Sequence, residues 1–385
     1  MIDTDISNKQ NRFKKIILHV GPDKTGSTSI QSSLKKNRNL LLSNRVSYPL
    51  NSVYPGHINH HILGTCFTTE PEHLIYNEPQ LSIKQCEDIL QSLDKSLSET
   101  QADTLVLSNE GFIHLTENAF RNMKKFLEKY GGEIEIVYYV RAPLSHAISA
   151  MSQHVKMCLE ACEGGCCIHI HNHKDTLEKL ICVFGKDQIN VRPFSKELLP
   201  ERNVVLDFLS LLDLPSAINK KIASNWRNKN ISLSWEAQLI GEKMIEILDG
   251  YLSSYEFQHK RAIGNIFLPA IKGRRILLTD YQQEEILNAS TPHLEYLSKE
   301  FGITIKDEPR AVYKQPSISE HTIDITAKKL LKVLVPDFKQ PIEAPAQNEG
   351  KLNRFFILRV MLITKILIII LAVRHRFRSI ILSLR

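Results

Sequence analysis

The chain has 385 residues, of which 43% are hydrophobic, 24% charged and 7% aromatic, and this composition excludes disordered, collagen-like and disulfide-scaffold proteins. The formal net charge is +7, but eight basic residues and no acidic residue lie in 351–385, so residues 1–350 together carry a charge of −1. Because a near-neutral body lacks the broad basic surface that binds a phosphate backbone, we expect no nucleic-acid partner.

The N-terminus and the cysteines indicate the compartment. The first fifteen residues are polar and charged, and they contain neither the apolar run of a secretory signal nor a membrane anchor. The seven cysteines are unevenly placed and do not form the spacing of a disulfide framework. We therefore expect a cytoplasmic protein with reduced thiols.

Strand and helix patterns alternate along the first half of the chain. A short apolar run at 16–20 has the length and branching of a buried strand, and it leads through a glycine-containing turn into a helical pattern at 30–42. Further strand patterns lie at 104–107, 133–140 and 188–191. This alternation predicts an α/β fold, a parallel sheet flanked by helices.

The second half reads mainly as helix, with clear periodicity at 235–248 and 283–301. The sequence thus predicts four segments: a polar tail at 1–15, one α/β domain at 16–303, a proline-containing linker at 304–350 and an apolar, basic helix at 351–385.

The C-terminal segment contains a nineteen-residue apolar run at 355–373, interrupted by Arg359, Thr364 and Lys365. Nineteen residues are about enough for a helix to span a bilayer, but a central lysine is costly there and both flanks are basic. A helix lying in the membrane interface and a helix buried in a core or dimer contact remain open. We expect association with the cytoplasmic membrane face.

A glycine-containing loop joins the first strand pattern to the first helical pattern. Gly21 and Gly26 have the spacing of the NTPase phosphate loop, G-x-x-x-x-G-K-[ST], but Ser27 stands where that loop has lysine. The cation is Lys24, inside the loop. A turn of this kind aims backbone N–H groups and the positive end of the helix dipole at one point, which predicts an anion site.

A second segment places an arginine at the end of a strand pattern. Arg141 follows 134–140, Pro143 suits the first turn of a helix, and Ser149 lies eight positions after Arg141. The planar fork of arginine binds phosphate oxygens bidentately. A cation at the strand end and a hydroxyl two turns into the helix can therefore close on one phosphate.

Together these two segments resemble the sulfotransferases that use 3′-phosphoadenosine 5′-phosphosulfate (PAPS). The stretch from Leu18 to Gln31 resembles their 5′-phosphosulfate loop, Pro-x-Lys-[Ser/Thr]-Gly-[Ser/Thr]-[Ser/Thr], and Arg141 with Ser149 resembles their Arg-x7-Ser element for the 3′-phosphate. Weaker similarities at 191–195, 205–209 and 230–234 extend the resemblance over about residues 16–303. Asp23 departs from the pattern, because the family has a small or apolar residue beside the loop lysine.

The resemblance implies in-line transfer of a sulfuryl group from PAPS to a hydroxyl or amine of a carbohydrate or lipid-linked acceptor, without a catalytic metal. Lys24 would stabilise the leaving group. The implied donor-binding residues are Lys24, Thr25, Gly26, Ser27, Thr28, Ser29, Arg141 and Ser149.

The acceptor must lose a proton, so a positioned carboxylate or imidazole is expected. Glu110 follows the strand pattern at 104–107 and would lie at the carboxyl edge of the sheet, where open α/β folds bind ligands. His60 and His61 are the rivals. The sequence leaves this choice open.

Four cysteines and three histidines cluster between 158 and 173. Cys158, Cys162, Cys166 and Cys167 could hold a structural zinc ion, although a surface insertion is the favoured interpretation. His169, His171 and His173 would share one face of a strand. Two functional alternatives also remain: a kinase-like P-loop NTPase, and a non-catalytic nucleotide-binding membrane scaffold.

Overall fold

A computed structural model of the chain describes residues 13–50, 58–68, 81–161, 170–224, 232–249, 263–307, 309 and 318–334, together with Val360, Leu362 and Thr364.

The described part of the chain contains a five-stranded sheet in the order β2-β3-β1-β4-β5, in which every neighbouring pair is parallel. The strands are β1 (Lys15–His19), β2 (Val46–Ser47), β3 (Thr104–Ser108), β4 (Glu133–Val140) and β5 (Ile189–Pro193). The predicted α/β fold, a parallel sheet flanked by helices, is confirmed.

Helices connect and follow the strands. They are α1 (Ser27–Lys36), α2 (Arg38–Ser43), α3 (His61–Phe67), α4 (Ile83–Glu99), α5 (Glu117–Glu128), α6 (Pro143–Ala161), α7 (His173–Phe184), α8 (Val204–Leu209), α9 (Ser216–Ser224), α10 (Trp235–Asp249), α11 (Leu268–Ala270), α12 (Asp280–Phe301) and α13 (Glu320–Leu334). A 3₁₀ turn, Glu110–His114, follows β3, and a π-helical turn, Ile263–Phe267, precedes α11.

The sheet is buried on both faces, as its apolar strands require. Successive side chains of a strand point to opposite faces, so Ile16 and Leu18 pack with helices α3, α4, α5 and α7, whereas Ile17 packs with α1, α2 and α8. These two clusters form the core of the α/β part and hold the carboxyl ends of the strands in place.

The contacts divide the chain into two compact units. The first contains the sheet, helices α1–α5 and α7–α9, the start of α6 as far as His146, and α12 from Leu287. The second contains α6 from Ala147, α10, α11, the start of α12 and α13. Its apolar core includes Val155 and residues of α10, α11 and α13. The single α/β domain predicted at 16–303 therefore contributes to both units.

Two further expectations are corrected. Helix α13 lies inside the segment predicted as a linker, 304–350, because its buried residues Ile323, Ala327 and Leu330 recur at helical spacing. The helix predicted at 30–42 is two helices, since Asn37 departs from helical geometry (φ −106°, ψ 18°) between α1 and α2.

The segment 351–385 lies almost wholly outside the described residues. Val360 and Thr364 are buried, and the Thr364 hydroxyl donates to the Val360 carbonyl at 2.9 Å. Among the described helices, none combines the length and the apolar character needed to cross a membrane.

Candidate functional site

The order of the strands places a crevice between β1 and β4. From β1 the chain leaves toward β2, on one side of the sheet, and from β4 it leaves toward β5, on the other side. Loops that diverge in this way open a crevice outside the carboxyl ends of the strands, where open α/β folds bind ligands. The loop that contains Lys24 follows β1, and Arg141 follows β4.

The loop after β1 has two residues in the left-handed region. Lys24 has φ 60° and Gly26 has φ 87°. A non-glycine residue in this region costs on the order of 1 kcal/mol, and such strain concentrates at ligand sites. The Thr25 hydroxyl, fully buried between them, donates to the Pro22 carbonyl at 2.6 Å and fixes the turn.

Gly26 is required by space as well as by conformation. A Cβ atom here would lie 2.8 Å from Cγ1 of Val204 and 3.0 Å from Cε2 of Phe194. Helix α8 and the segment after β5 therefore press directly on the loop.

Helix α1 begins immediately after Gly26, which carries no side chain to cap it. The backbone N–H groups of Ser27 and Thr28 lie in its first turn, where no intrahelical acceptor exists. No acidic residue lies in this turn, so the positive end of the helix dipole is not neutralised there. Ser27 and Ser29 are buried and Thr28 is half-buried, and the predicted cradle residues thus surround one helix N-terminus.

Arg141 joins the end of β4 to this loop. Its Nη1 donates to the carbonyl of Lys24 at 2.7 Å, and its Nε donates to the Ser145 hydroxyl at 3.1 Å. The guanidinium also lies over the ring of Phe194, 5.5 Å from the centroid. Two segments 117 residues apart therefore meet through one side chain.

Ser149, the predicted hydroxyl partner, lies on α6 and is half-buried. The Arg141 Nε donates instead to the Ser145 hydroxyl, one helical turn nearer. Residues four apart share a helix face, so Ser145 and Ser149 form a short row of hydroxyls. Sequence spacing missed Ser145, although its position four residues after Arg141 was available as a signal.

Lys24 lies among charges of both signs. Burial lowers its pKa, Asp23 and Glu110 act to raise it, and Arg141 acts to lower it further. The structure thus brings Arg141 and Glu110 each within electrostatic range of Lys24.

Glu110 opens the 3₁₀ turn after β3 and is half-buried. Its Oε2 accepts from Nε2 of Gln31 at 2.7 Å, and the same Gln31 nitrogen lies 3.3 Å from the Ser108 hydroxyl. The Ser108 hydroxyl is in turn 2.7 Å from Nδ1 of the buried His19. A polar chain therefore holds the carboxylate at the carboxyl edge of the sheet, as the sequence places it.

The rival histidines are differently placed. The Nδ1 of His60 accepts from the Ser108 N–H at 3.0 Å and its Nε2 lies 2.5 Å from the Pro49 carbonyl, so backbone groups engage both nitrogens. Burial lowers the pKa of His60 to about 4. His61 is half-buried at the start of α3, with Nδ1 3.1 Å from Oδ1 of Asn59. Backbone groups therefore hold His60, whereas Glu110 and His61 are both half-buried.

Asp23 contacts two histidines that the sequence did not assign to the loop. Its Oδ1 is 3.3 Å from Nε2 of His146 and 2.9 Å from Nε2 of His171. Burial alone would raise the pKa of Asp23, but hydrogen bonds and charge interactions with both imidazoles bring it well below its usual value. Burial also lowers the pKa of His146. The Asp23 carboxylate, next to Lys24 in the loop, therefore contacts two imidazole side chains.

The cysteine cluster falls outside the described residues: Cys162, Cys166, Cys167 and His169 are not described, and nor is the side chain of Cys158. The expectation that His171 and His173 share a strand face is wrong, because His173 begins α7. There its Nδ1 lies 2.9 Å from the Tyr138 hydroxyl.

A cavity of about 720 Å³ lies next to the site, between α1, α2 and α4. Tyr48 and Asn59 line it. Glu110 acts on the pKa of Tyr48, which burial raises, and Asn59 lies 3.5 Å from Asn109, the residue before Glu110. Tyr48 and Asn59 thus connect the cavity wall to the surroundings of Glu110, which does not itself line the cavity.

Comparison with known proteins gives no function. No family model matches the chain. A protein of Archaeoglobus fulgidus, described as an uncharacterized protein, is 31% identical over 123 residues, which cover 31% of this chain and 34% of that protein. The chain thus matches about a third of the length of this relative.

Proposed function

We propose that the chain is a sulfotransferase that transfers the sulfuryl group of PAPS to a hydroxyl or amine of a carbohydrate or lipid-linked acceptor. The observation that carries the proposal is the hydrogen bond from Arg141 to the carbonyl of Lys24. It joins the two sequence elements that resemble the 5′- and 3′-phosphate sites of sulfotransferases.

The donor would lie with its 5′-phosphosulfate on the N-terminus of α1. There the N–H groups of the first turn and the Lys24 ammonium face the bridging oxygen on which charge builds as the bond to sulfur breaks. Preorganised donors at such a position are typically worth about 3 to 4 kcal/mol of barrier each. Ser27, Thr28 and Ser29 complete the cradle.

The 3′-phosphate would lie on Arg141 and the hydroxyls of α6, Ser145 and Ser149. Phe194 restrains the guanidinium plane from one side. The Lys24 carbonyl and the Ser145 hydroxyl hold its Nη1 and Nε beside the loop, and a guanidinium binds phosphate oxygens through its planar fork of N–H donors.

Glu110 would take the acceptor proton as the sulfuryl group moves. The acceptor would approach from the cavity lined by Tyr48 and Asn59. A sugar fits a cavity of this size, which has polar residues such as Asn59 in its lining. The segment 351–385 would bring the enzyme to a membrane surface that carries a lipid-linked acceptor.

Isothermal calorimetry of the full chain with adenosine 3′,5′-bisphosphate, ATP and GTP tests the proposal. We expect preference for the 3′-phosphorylated ligand, independent of magnesium. Arg141→Ala should abolish this preference, whereas the surface variant Arg45→Ala should retain it. Magnesium-dependent binding of ATP with equal or greater affinity would instead favour a P-loop NTPase.

Binding without catalysis is distinguished by a second measurement. Transfer of labelled sulfate from PAPS to a panel of glycans and glycolipids is expected for the parent protein. If the protein binds adenosine 3′,5′-bisphosphate tightly but neither transfers sulfate from PAPS nor slowly releases sulfate from it, the non-catalytic alternative is indicated.

A further inference from the structure

Three side chains from separate segments converge beside the loop. Asp23 belongs to the loop itself, His146 lies in the first turns of α6, and His171 precedes α7. The two histidine Nε2 atoms are 3.0 Å apart, and each lies within 3.3 Å of the same carboxylate oxygen, Oδ1 of Asp23. Within the described residues these are the groups whose ligand atoms come close enough together to hold a metal ion.

Hydrogen bonds to an ionised Asp23 carboxylate do not satisfy all three contacts at once. A neutral imidazole carries one N–H, on one of its two nitrogens. If both Nε2 atoms are protonated, both can donate to Asp23, but two N–H groups then face each other across 3.0 Å. If either Nε2 is bare, its lone pair faces a lone pair of the ionised Asp23 carboxylate. With Asp23 ionised, every arrangement of the imidazole protons therefore leaves at least one of the three contacts repulsive.

A cation makes all three contacts favourable at once. An ion about 2.1 Å from each ligand atom, the usual distance for zinc, would stand about 1 Å above their plane with ligand–metal–ligand angles between roughly 90° and 105°. Three such ligands on one face leave positions open on the other. Two imidazoles and one carboxylate are the donor set of catalytic zinc and of non-haem iron(II) sites, whereas magnesium and calcium prefer oxygen ligands alone.

We propose that Asp23, His146 and His171 bind a divalent transition-metal ion of the zinc and iron(II) class. The two histidine side chains are 7% and 9% exposed and Asp23 is 39% exposed. The ion therefore enters from the Asp23 side and keeps its open positions there, toward water or an anion on the loop. The site also explains why an acid stands beside Lys24, where the sulfotransferase pattern has a small or apolar residue.

This proposal does not depend on the donor. None of its three ligands belongs to the residues proposed to bind PAPS, and it is tested with metal alone. Failure to bind adenosine 3′,5′-bisphosphate would leave it standing, and absence of metal would leave the proposed function standing.

The test is metal content and cobalt spectroscopy on the full chain. After loading with Zn²⁺ or Co²⁺ and dialysis, we expect one ion per chain by mass spectrometry, and a visible Co²⁺ absorption. Asp23→Asn and His171→Ala should each lower the affinity at least about 100-fold, since even second-shell changes at metal sites cost 10- to 100-fold. His321→Ala, which removes a half-buried histidine from α13, is the matched control and should keep the ion.

Two further variants make the outcome decisive. His171→Cys should retain the ion and add a thiolate-to-cobalt charge-transfer band in the near ultraviolet, which a merely structural role of His171 does not produce. The triple variant Cys162→Ser/Cys166→Ser/Cys167→Ser should keep its ion. The proposal is overturned if the folded parent retains no ion, if Asp23→Asn and His171→Ala bind as the parent does, or if the ion is lost only from the cysteine variant.

Discussion

Arg141 shows at the scale of one residue what sequence spacing can and cannot predict. Its place at a strand end, and its role beside the loop, follow from the apolar run before it and the proline after it. Its bond to the Lys24 carbonyl spans 117 residues, and its contact with Phe194 comes from a third segment. Neither contact leaves a local pattern, so both required the fold.

The sequence did not predict the cluster of Asp23, His146 and His171 for a similar reason. Asp23 stood out as a departure from the loop pattern, and His171 stood out in the cysteine and histidine cluster. His146 lies on α6 without any motif around it. Only the packing of the loop against α6 and the start of α7 brings the three together.

Glu110→Gln is expected to separate catalysis from binding. The amide keeps the shape of the side chain but cannot accept the acceptor proton, so sulfate transfer should fall by about 10²- to 10⁴-fold. The affinity for adenosine 3′,5′-bisphosphate should change by less than about threefold, because a general base contributes to the proton transfer and not to donor binding. Initial rates with labelled PAPS and calorimetry on the same preparation measure the two effects.

The control for this variant is Glu87→Gln, which changes an exposed carboxylate on α4. His61→Ala should retain most of the activity. If His61→Ala loses more activity than Glu110→Gln, the base is the histidine and the assignment of Glu110 is wrong.

At the scale of secondary-structure elements, the sequence predicted a long apolar strand correctly, but it did not predict a very short strand or a helix flanked by prolines. The strand predicted at 133–140 matches β4, Glu133–Val140, because eight mostly apolar residues leave little choice. Strand β2 has two residues, too few for any periodicity. Helix α13 was missed because prolines at 316 and 336 suggested a linker, although they stand outside the helix and bracket it.

Gly26→Ala tests the loop as an element. The residue needs φ 87°, and its new methyl group would meet Val204 and Phe194. We expect a loss of about 1 to 3 kcal/mol in the free energy of unfolding, measured by urea denaturation, and loss of nucleotide binding. Gly185→Ala is a comparison at a second glycine that needs a positive φ (φ 91°, ψ 148°), in a region adopted almost only by glycine, but with nothing within 4 Å of the added atom, so it should lose stability and keep nucleotide binding.

If Gly26→Ala binds adenosine 3′,5′-bisphosphate as tightly as the parent, the loop is not the phosphate site. A loss of stability in both glycine variants with loss of binding only in Gly26→Ala is the expected pattern.

At the scale of the whole molecule, buried histidines make the α/β unit sensitive to acid. Burial lowers the pKa of His19 and of His60 from 6.5 to about 4, and that of His173 to about 3. The unfolded chain binds these protons first as the pH falls. Stability is therefore full above about pH 6.5 and is lost as the pH falls from there toward 4.

Each of these three histidines should lower the free energy of unfolding by about 2 kcal/mol when the pH falls from 7 to 5. His60→Asn, whose amide oxygen can still accept from the Ser108 N–H, should reduce that loss by about this amount. Urea denaturation at the two pH values measures the difference, with His321→Asn as the control. An equal loss in the parent and in His60→Asn would contradict the burial of a neutral His60.

The division into two units was beyond the sequence. Helices α6 and α12 each contribute to both units, and a continuous helical pattern gives no sign of such a boundary. The order of the strands in the sheet could not be predicted from the sequence either, since several parallel strand orders give the same alternation of strands and helices along the chain. Lys24, Glu110 and Arg141 nevertheless follow β1, β3 and β4 as the sequence patterns indicate, because any such order brings the carboxyl ends to one edge.

The central claim is that Arg141 reads the 3′-phosphate of a nucleotide whose 5′ end lies on the Lys24 loop. The most direct measurement is the ratio of affinities for adenosine 3′,5′-bisphosphate and adenosine 5′-monophosphate, which differ only in that phosphate. We predict a ratio of about 10 to 100 in the parent, consistent with a charge-assisted bond worth about 1.5 to 3 kcal/mol, and a ratio near one in Arg141→Ala, while Lys24→Ala weakens both ligands alike. A ratio near one in the parent protein, or one that Arg141→Ala leaves unchanged, would contradict the claim.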